Sequence, residues 1–190
     1  ESADLNKDGW PDLVFCPSHS GLQYPRRFVS IIYGGEDGWP ASRSNGVLPV
    51  HGVNAIALAD LNHDSWVDIV TLNGKGWLHG QPEGNIMRVF WGGEKGYILT
   101  RYQDVGVENA MALASGDFDT DGADDVAFLK SDNTIEIFWA TATSENEVNV
   151  KSSKITIPLS PHQSLNVADS NNDEIPDLII GSGSESIFIV

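Results

Sequence analysis

Acidic residues recur in this chain at a spacing that suits a metal ion. The best-formed example begins at Asp117, with aspartates at its first, third, fifth and ninth positions and Gly122 at its sixth. Carboxylates this close repel one another unless a hard cation lies between them. Calcium takes about six to eight oxygen ligands from carboxylates, amide oxygens and backbone carbonyls, which fits this spacing. The stretch therefore predicts a calcium loop.

The same pattern occurs four times, starting at residues 4, 60, 117 and 169. In each copy we expect side-chain ligands at positions 1, 3, 5 and 9 and a backbone carbonyl ligand at position 7. The predicted ligands are Asp4, Asn6, Asp8, Trp10 and Asp12 in copy one, Asp60, Asn62, Asp64, Trp66 and Asp68 in copy two, Asp117, Asp119, Asp121, Ala123 and Asp125 in copy three, and Asp169, Asn171, Asp173, Ile175 and Asp177 in copy four.

The copies differ at position 6, where a sharp bend favours glycine. Copies one and three have glycine there, whereas copy two has Ser65 and copy four has Glu174. A non-glycine residue held at positive φ costs about 1–2 kcal/mol. We therefore expect copies two and four to bind calcium more weakly or to bend differently, and copy three to bind most tightly.

An EF-hand shares the start of this pattern, but it needs a bidentate glutamate at position 12 and a helix after it. Position 12 is instead Phe15, Thr71, Phe128 or Ile180, each within a short apolar run that is typical of a strand. The EF-hand interpretation therefore fails. Acidic turns without a metal are the remaining alternative, and four copies in phase disfavour it.

The segments between the copies predict an all-β protein with no helix. Each copy follows a strand of small residues, such as 55–59, and runs directly into an apolar strand, such as 126–129. A third strand, such as 135–139, and a more polar fourth strand, such as 151–157, complete each unit. Four-stranded antiparallel units repeated every 52 to 57 residues predict a β-propeller.

The strand count predicts an incomplete ring of three and a half to four blades within residues 1–190. The chain opens on a stub of the first strand and stops after the third strand of the fourth unit. Propellers usually have about four to eight complete blades. We therefore expect a single propeller or a propeller fragment, completed by further blades of a larger chain or by an oligomer partner. The first copy lies so close to residue 1 that we expect a mature product or a fragment.

Charge and composition narrow the function. The formal net charge is -16 with only 11 Lys and Arg, which argues against binding nucleic acid through its phosphates. Four Ca²⁺ would bring the charge to about -8, which is ordinary for a soluble protein. No apolar run reaches the length of a membrane helix, so no membrane insertion is expected. The single Cys16 cannot form an internal disulfide.

Ligand recognition is expected on the face opposite the acidic loops. Two long connections, 16–27 and 73–85, join the second and third strands of the first two units, whereas the third such connection, 130–134, is tight. Extended loops among tight ones suggest recognition. The candidate ligand-binding residues are Tyr24, Arg26, Arg27, Trp77 and His79. Ordinary loop insertions with locally packed aromatics are the alternative.

The repeated acidic pattern, whose first aspartate follows an alanine in copies one, two and four, resembles the FG-GAP/VCBS repeat family, which includes integrin α-chain propellers and secreted lectin-like propellers. The resemblance implies calcium bound by Asp4, Asn6, Asp8, Asp12 and their equivalents, and a secreted or cell-surface location. It predicts a non-enzymatic module that binds an extracellular glycan or protein. A non-catalytic scaffold of a secreted polysaccharide-degrading enzyme and a purely structural assembly module are the alternatives.

Overall fold

The structure is a computed structural model that describes residues 1–16, 27–40, 44–50, 52–74, 85–156, 163–182 and 187–189. The described residues form β-strands and no helix, as the sequence predicts. The strands are β1 (Ser2–Ala3), β2 (Asp12–Phe15), β3 (Arg27–Ile32), β4 (Ser44–Val50), β5 (Val53–Ala59), β6 (Asp68–Asn73), β7 (Asn85–Phe90), β8 (Tyr102–Val107), β9 (Ala110–Gly116), β10 (Asp125–Lys130), β11 (Thr134–Ser144), β12 (Glu147–Thr156), β13 (Gln163–Ala168), β14 (Asp177–Ser182) and β15 (Ile187–Ile189).

These strands form four antiparallel sheets in which neighbours follow one another along the chain. The sheets are β1–β4, β5–β8, β9–β12 and the three-stranded β13–β15. The register of the third sheet is typical, since Ala127 of β10 pairs with Ala114 of β9 on one side and with Ile137 of β11 on the other. Each acidic loop joins the first and second strands of its sheet. The predicted four-stranded antiparallel units are confirmed for the first three sheets.

The third sheet contains a longer hairpin than the sequence predicts. The apolar run ends near Trp139, but β11 continues to Ser144 and pairs with β12 back to Glu147. The extra residues 141–147 are exposed. Hydrophobicity marks only where a strand is buried, so a ribbon of Thr and Ala that extends beyond its sheet gives no apolar signal.

The chain divides into two compact units, each with its own core. The first unit comprises residues 1–58 and 65–107, and the second comprises residues 59–64 and 108–190. In the first unit, Val14, Ile31 and Leu48 of the first sheet pack with Ile69 and Phe90 of the second sheet. This shared core explains why the two faces of the first sheet differ in burial.

In the second unit, the core lies between the third and fourth sheets. Ala127 and Leu129 of β10 pack with Leu165, Leu178 and Ile180 of the fourth sheet. Strand β10 is buried along its whole length, which agrees with its uninterrupted apolar sequence. The described residues contain no helix long and apolar enough to cross a membrane.

Candidate metal centre

All four acidic loops are organised by the aspartate at position 1 and the oxygen-bearing side chain at position 3. In copy one, the Asp8 amide donates to Asp4 Oδ1 at 3.1 Å and to Asn6 Oδ1 at 3.0 Å. The equivalent bonds recur in the other three copies at 3.0–3.2 Å and 2.9–3.2 Å, respectively. Side-chain oxygens thus satisfy backbone amides that the tight bend leaves without partners.

The amides at positions 6 and 7 continue this pattern. In copy three, the Gly122 amide donates to Asp117 Oδ2 at 3.0 Å, and the Ala123 amide donates to Asp121 Oδ1 at 2.9 Å. The same two bonds form in copies one and four. Aspartates at positions 1 and 5 therefore shape the backbone as well as supplying oxygen. The predicted carbonyl ligands at position 7 remain a prediction.

Two positions in every loop adopt the left-handed backbone conformation. Position 6 has φ of 86° at Gly9 and 93° at Gly122, and Ser65 and Glu174 adopt the same region at 65° and 69°. The expectation that loops without glycine bend differently is therefore wrong for the backbone angle φ at position 6. The hydrogen bonds to the aspartates hold the same bend in all four copies. The expected weaker binding of these copies remains a prediction.

Position 4 is the second left-handed position, and the sequence did not reveal it. Its φ lies between 55° and 61° in all four copies. The residues concerned are Lys7, His63, Thr120 and Asn172. Asparagine and histidine are residue types enriched in this conformation, whereas lysine and the β-branched threonine are not, so composition carries no common signal.

The aspartate at position 9 ties each loop to its sheet. Asp125 is fully buried and accepts from the amides of Phe118 at 3.2 Å and Ala140 at 2.8 Å. Asp12 accepts in the same way from Leu5 at 2.9 Å and Gly34 at 2.7 Å. An ionised carboxylate has about four lone-pair sites, so capacity for a cation remains after two such bonds.

Copy three brings carboxylate oxygens together as a metal site requires. One oxygen each from Asp117, Asp119 and Asp125 lies within 4.8 Å of the other two. Burial raises the pKa of Asp125 to about 6, and the charges of Asp119 and Asp121 add to this effect. The donor set consists of hard oxygens whose mutual repulsion a divalent cation would relieve, so the residues present fit calcium.

The position 9 carboxylates differ in their electrostatics. Burial raises the pKa of Asp12, despite its two backbone hydrogen bonds. At copy four, the hydroxyl and amide of Ser170 both donate to Asp177 and lower the pKa of that carboxyl. The serine at position 2 is unique to copy four and replaces Leu5, Leu61 or Phe118. Copy four therefore holds its ninth carboxylate in the charged form more readily than copies one and three do.

Copy two contains an asparagine that is much less accessible than its counterparts. Asn62 is only 6% exposed, whereas the residues at position 3 in the other copies are exposed. Its Nδ2 donates to the Glu145 carbonyl, at the tip of the β11–β12 hairpin, at 2.9 Å. His63 is exposed, and its Nδ1 donates to the Gly122 carbonyl. Sequence reasoning missed both contacts, because they join segments far apart in the chain.

The predicted ligand-binding residues lie largely outside the described residues. Tyr24, Arg26, Trp77 and His79 fall in the undescribed connections, and Arg27 is the first residue of β3. The tight third connection is confirmed, since β10 ends at Lys130 and β11 begins at Thr134. The recognition hypothesis for these residues therefore stays a prediction.

Two exposed tryptophans lie at the first acidic loop instead. Trp10 and Trp39 are 44% and 46% exposed, and the Trp39 indole donates to the Pro11 carbonyl at 2.6 Å. Tyr97 holds the equivalent place at the second sheet, where its hydroxyl donates to the Val67 carbonyl at 2.7 Å. The sequence signal was present, since both aromatics follow a Gly-Gly turn at the same offset.

Comparison with known families agrees with this geometry. The family model described as the FG-GAP-like repeat matches residues 4–71 and 117–180. The first match spans copies one and two, and the second spans copies three and four. The resemblance predicted from the acidic loops is thus confirmed. The search of curated proteins found no match.

Proposed function

This chain belongs to the FG-GAP-like repeat family, and from that membership we propose that it is a calcium-binding β-propeller module of a secreted or cell-surface protein. Its proposed role is to bind an extracellular glycan or protein, without catalysis. The observation that carries the calcium proposal is the convergence of the Asp117, Asp119 and Asp125 oxygens within 4.8 Å. The repeated backbone geometry extends the proposal to the other three copies.

The role of the ion in this proposal is structural. Bound calcium would neutralise carboxylates that otherwise repel one another, and would thereby stiffen the connection between the first and second strands of each sheet. Side chains of the loop itself orient its backbone and attach it to the sheet. Asp117 and Asp121 orient the loop backbone through their hydrogen bonds, and buried Asp125 fixes the loop to Ala140 of β11.

The propeller arrangement is part of the proposal. Its support is the repetition of sheets whose strands pair in chain order, each with an acidic loop between its first two strands. Within each unit, neighbouring sheets share one apolar core, as blades do. Further blades or an oligomer partner would complete the ring.

The recognition role draws on exposed aromatic residues. Trp10 and Trp39 offer large apolar surfaces with a polar edge, a combination that is enriched at protein interfaces. They lie on the acidic-loop side of the first sheet, whereas Tyr24 and Trp77 lie in the long connections. Binding of a glycan or protein is proposed for one of these two groups.

Calorimetric titration of the calcium-free chain with Ca²⁺ tests the metal proposal. We expect binding to the parent protein and the loss of one site in Asp121→Ala. The matched control is Asp132→Ala, which removes an exposed carboxylate from the β10–β11 turn of the same sheet. Absence of calcium binding at millimolar concentration, with the protein folded, would refute the proposal. A glycan array probed with calcium and with chelator tests the recognition role. Absence of binding under both conditions would contradict that role.

A further inference from the structure

Copy two and copy three are joined by a reciprocal pair of hydrogen bonds. The Asp60 amide donates to Asp124 Oδ2 at 2.7 Å, and the Asp124 amide donates to the Asp60 carbonyl at 2.9 Å. Asp60 is the first predicted ligand of copy two. Asp124 is at position 8 of copy three, where it is not a predicted ligand. Its carboxylate thus holds the backbone of a neighbouring loop.

This carboxylate is peculiar to copy three. Position 8 is Pro11 in copy one, Val67 in copy two and Pro176 in copy four, none of which can accept a side-chain hydrogen bond. Burying an aspartate, even partly, destabilises the folded protein unless its carboxylate oxygens accept hydrogen bonds. At Asp124 one of those partners is the amide of Asp60.

Two further contacts fix the same segment of copy two. The Asn62 amide nitrogen donates to the Glu145 carbonyl and to Asp64 Oδ2, both at 2.9 Å. With its nitrogen committed in this way, Asn62 presents Oδ1 on the other side, where the Asp64 amide donates to it at 3.2 Å. His63 Nδ1 adds a contact to the Gly122 carbonyl.

We propose that Asp124, together with the tip of the β11–β12 hairpin, holds Asp60, Asn62 and Asp64 in the geometry that binds calcium. Asp124 is then a positioning residue for copy two, although it belongs to the sequence of copy three. This inference rests on the proposed calcium function and deepens it. Groups that orient ligands without touching the metal raise affinity, because the loop need not be ordered when the ion binds.

The physical consequence is that copy two does not depend on a glycine for its order. Copy two has Ser65 at position 6, yet its first half is fixed by contacts from outside the loop. Loss of the Asp124 carboxylate should weaken calcium binding at copy two about tenfold or more, the range seen when groups that orient metal ligands are removed.

A tryptophan at position 7 gives copy two a spectroscopic signal. Position 7 is Trp66 in copy two and Trp10 in copy one, but Ala123 and Ile175 in the other copies. Bound Tb³⁺, a calcium substitute, emits when a nearby tryptophan transfers energy to it. Because the Trp66 ring also contacts Lys7 of copy one, the Trp66-dependent signal is defined as the emission lost both in Trp66→Phe and in Asp64→Ala. Competition by Ca²⁺ against this signal gives the affinity of copy two.

The experiment compares Asp124→Ala, Asp124→Asn and the control Glu108→Ala in the 190-residue chain. Glu108 is an exposed acid of the β8–β9 turn, so its removal changes the charge without the contact. We expect the Trp66-dependent midpoint to rise about tenfold or more in Asp124→Ala and less in Asp124→Asn, whose amide oxygen still accepts a hydrogen bond. Glu108→Ala should leave the midpoint unchanged.

The outcomes separate this inference from the calcium function. An unchanged midpoint in folded Asp124→Ala, or equal weakening by Asp124→Ala and Asp124→Asn, would overturn the positioning role while leaving calcium binding intact. Failure of the parent chain to bind either Tb³⁺ or Ca²⁺ would overturn both. If Asp124→Ala does not fold, Asp124→Val, which places the position 8 residue of copy two there and cannot accept a hydrogen bond, decides by the same criterion: a rise above the Glu108→Ala value supports the proposal, and none refutes it.

Discussion

Replacing Glu174 with glycine should stabilise the protein, although it removes a side chain. Glu174 is exposed and has φ of 69° at position 6 of copy four. A left-handed conformation costs a residue with a side chain about 1–2 kcal/mol, and glycine avoids this cost. Glycine also gives the unfolded chain more conformational entropy, which lowers the free energy of unfolding by about 0.4–1 kcal/mol and offsets part of this gain. The net gain should be about 0.5–1 kcal/mol, and the hydrogen bond from this amide to Asp169 is kept.

The reverse changes provide matched controls at the copies that have glycine. A Cβ at Gly9 would meet no atom within 4 Å, so Gly9→Ala changes only the backbone preference. A Cβ at Gly122 would lie 2.8 Å from His63 Cε1, so Gly122→Ala adds a steric contact. We expect Gly9→Ala to cost about 0.5–1 kcal/mol by the same reasoning with the sign reversed. Gly122→Ala should cost more.

Urea unfolding of the four proteins, with calcium chelated, measures these differences without the contribution of the ion. Thermal unfolding should show a rise of about 2–3 °C for Glu174→Gly, since 1 kcal/mol corresponds to about 2–4 °C in a chain of this size. A decrease for Glu174→Gly, or a neutral effect of Gly9→Ala, would refute the claim that position 6 is strained when it is not glycine.

Calcium removal, pH and a buried ion pair give three more tests. With Kd near 10⁻⁴ M, each site contributes about 1.4 kcal/mol at millimolar calcium, so chelation should lower the melting temperature by several degrees, and no shift would contradict the calcium proposal. Because the pKa of Asp125 is raised to about 6, the calcium-free folded state binds a proton more readily than the unfolded state, so its stability should rise as pH falls from about 7 to about 5. Asp125→Asn should reduce that rise in pH-dependent urea unfolding, and the part that remains comes from other carboxyls whose pKa burial raises, such as Asp12. Lys130 Nζ lies 2.6 Å from Glu136 Oε2, with both side chains buried. Lys130→Met alone should cost about 3 kcal/mol in urea unfolding, the low end of the range for breaking a buried pair, because Lys154 Nζ still lies 3.6 Å from Glu136 Oε1. Lys130→Met with Glu136→Leu should restore most of that loss. Equal loss in the single and double variants would contradict this account of the pair.

The same ion pair contributes to the stability of the protein in acid. Burial would raise the pKa of Glu136, but the hydrogen bond and charge of Lys130 lower it below its ordinary value of 4.5. A lowered folded pKa means that this stability is present above the unfolded value and is lost as pH falls through the folded value. Loss of stability below about pH 4.5 should therefore be smaller in the double variant than in the parent.

Much of the fold was predictable because each strand is short and its burial is local. The alternation and the apolar runs located the central strands, and the acidic spacing located the connections before them. The bounds of β11 and β12 were not predictable, because residues 141–147 are exposed and carry no apolar pattern. The left-handed position 4 was equally hidden, since Lys7, His63 and Thr120 share no chemical property that demands it.

The candidate ligands of the site were predictable from the sequence, but the hydrogen bonds between neighbouring loops were not. Spacing indicated that Asp60 and Asn62 could be ligands, yet it could not indicate that Asp124 and Glu145 would hold them. Such contacts depend on the pairing of sheets and on the length of one hairpin, which are properties of the folded chain.

Hydrogen bonds within each acidic loop order its backbone independently of a bound ion. Aspartates at positions 1 and 5 accept backbone amides. In copies one to three the buried aspartate at position 9 also joins the loop to the third strand or to the segment directly after it, as Asp125 does through Ala140 of β11. These bonds favour the charged carboxylate, whereas burial and mutual repulsion oppose it, as the raised pKa of Asp125 shows. Without calcium, the backbone of the loop is therefore already ordered, but its carboxylates repel one another. Binding a divalent cation would relieve that repulsion with little change of backbone, so we expect calcium to alter the stability of this protein much more than its structure.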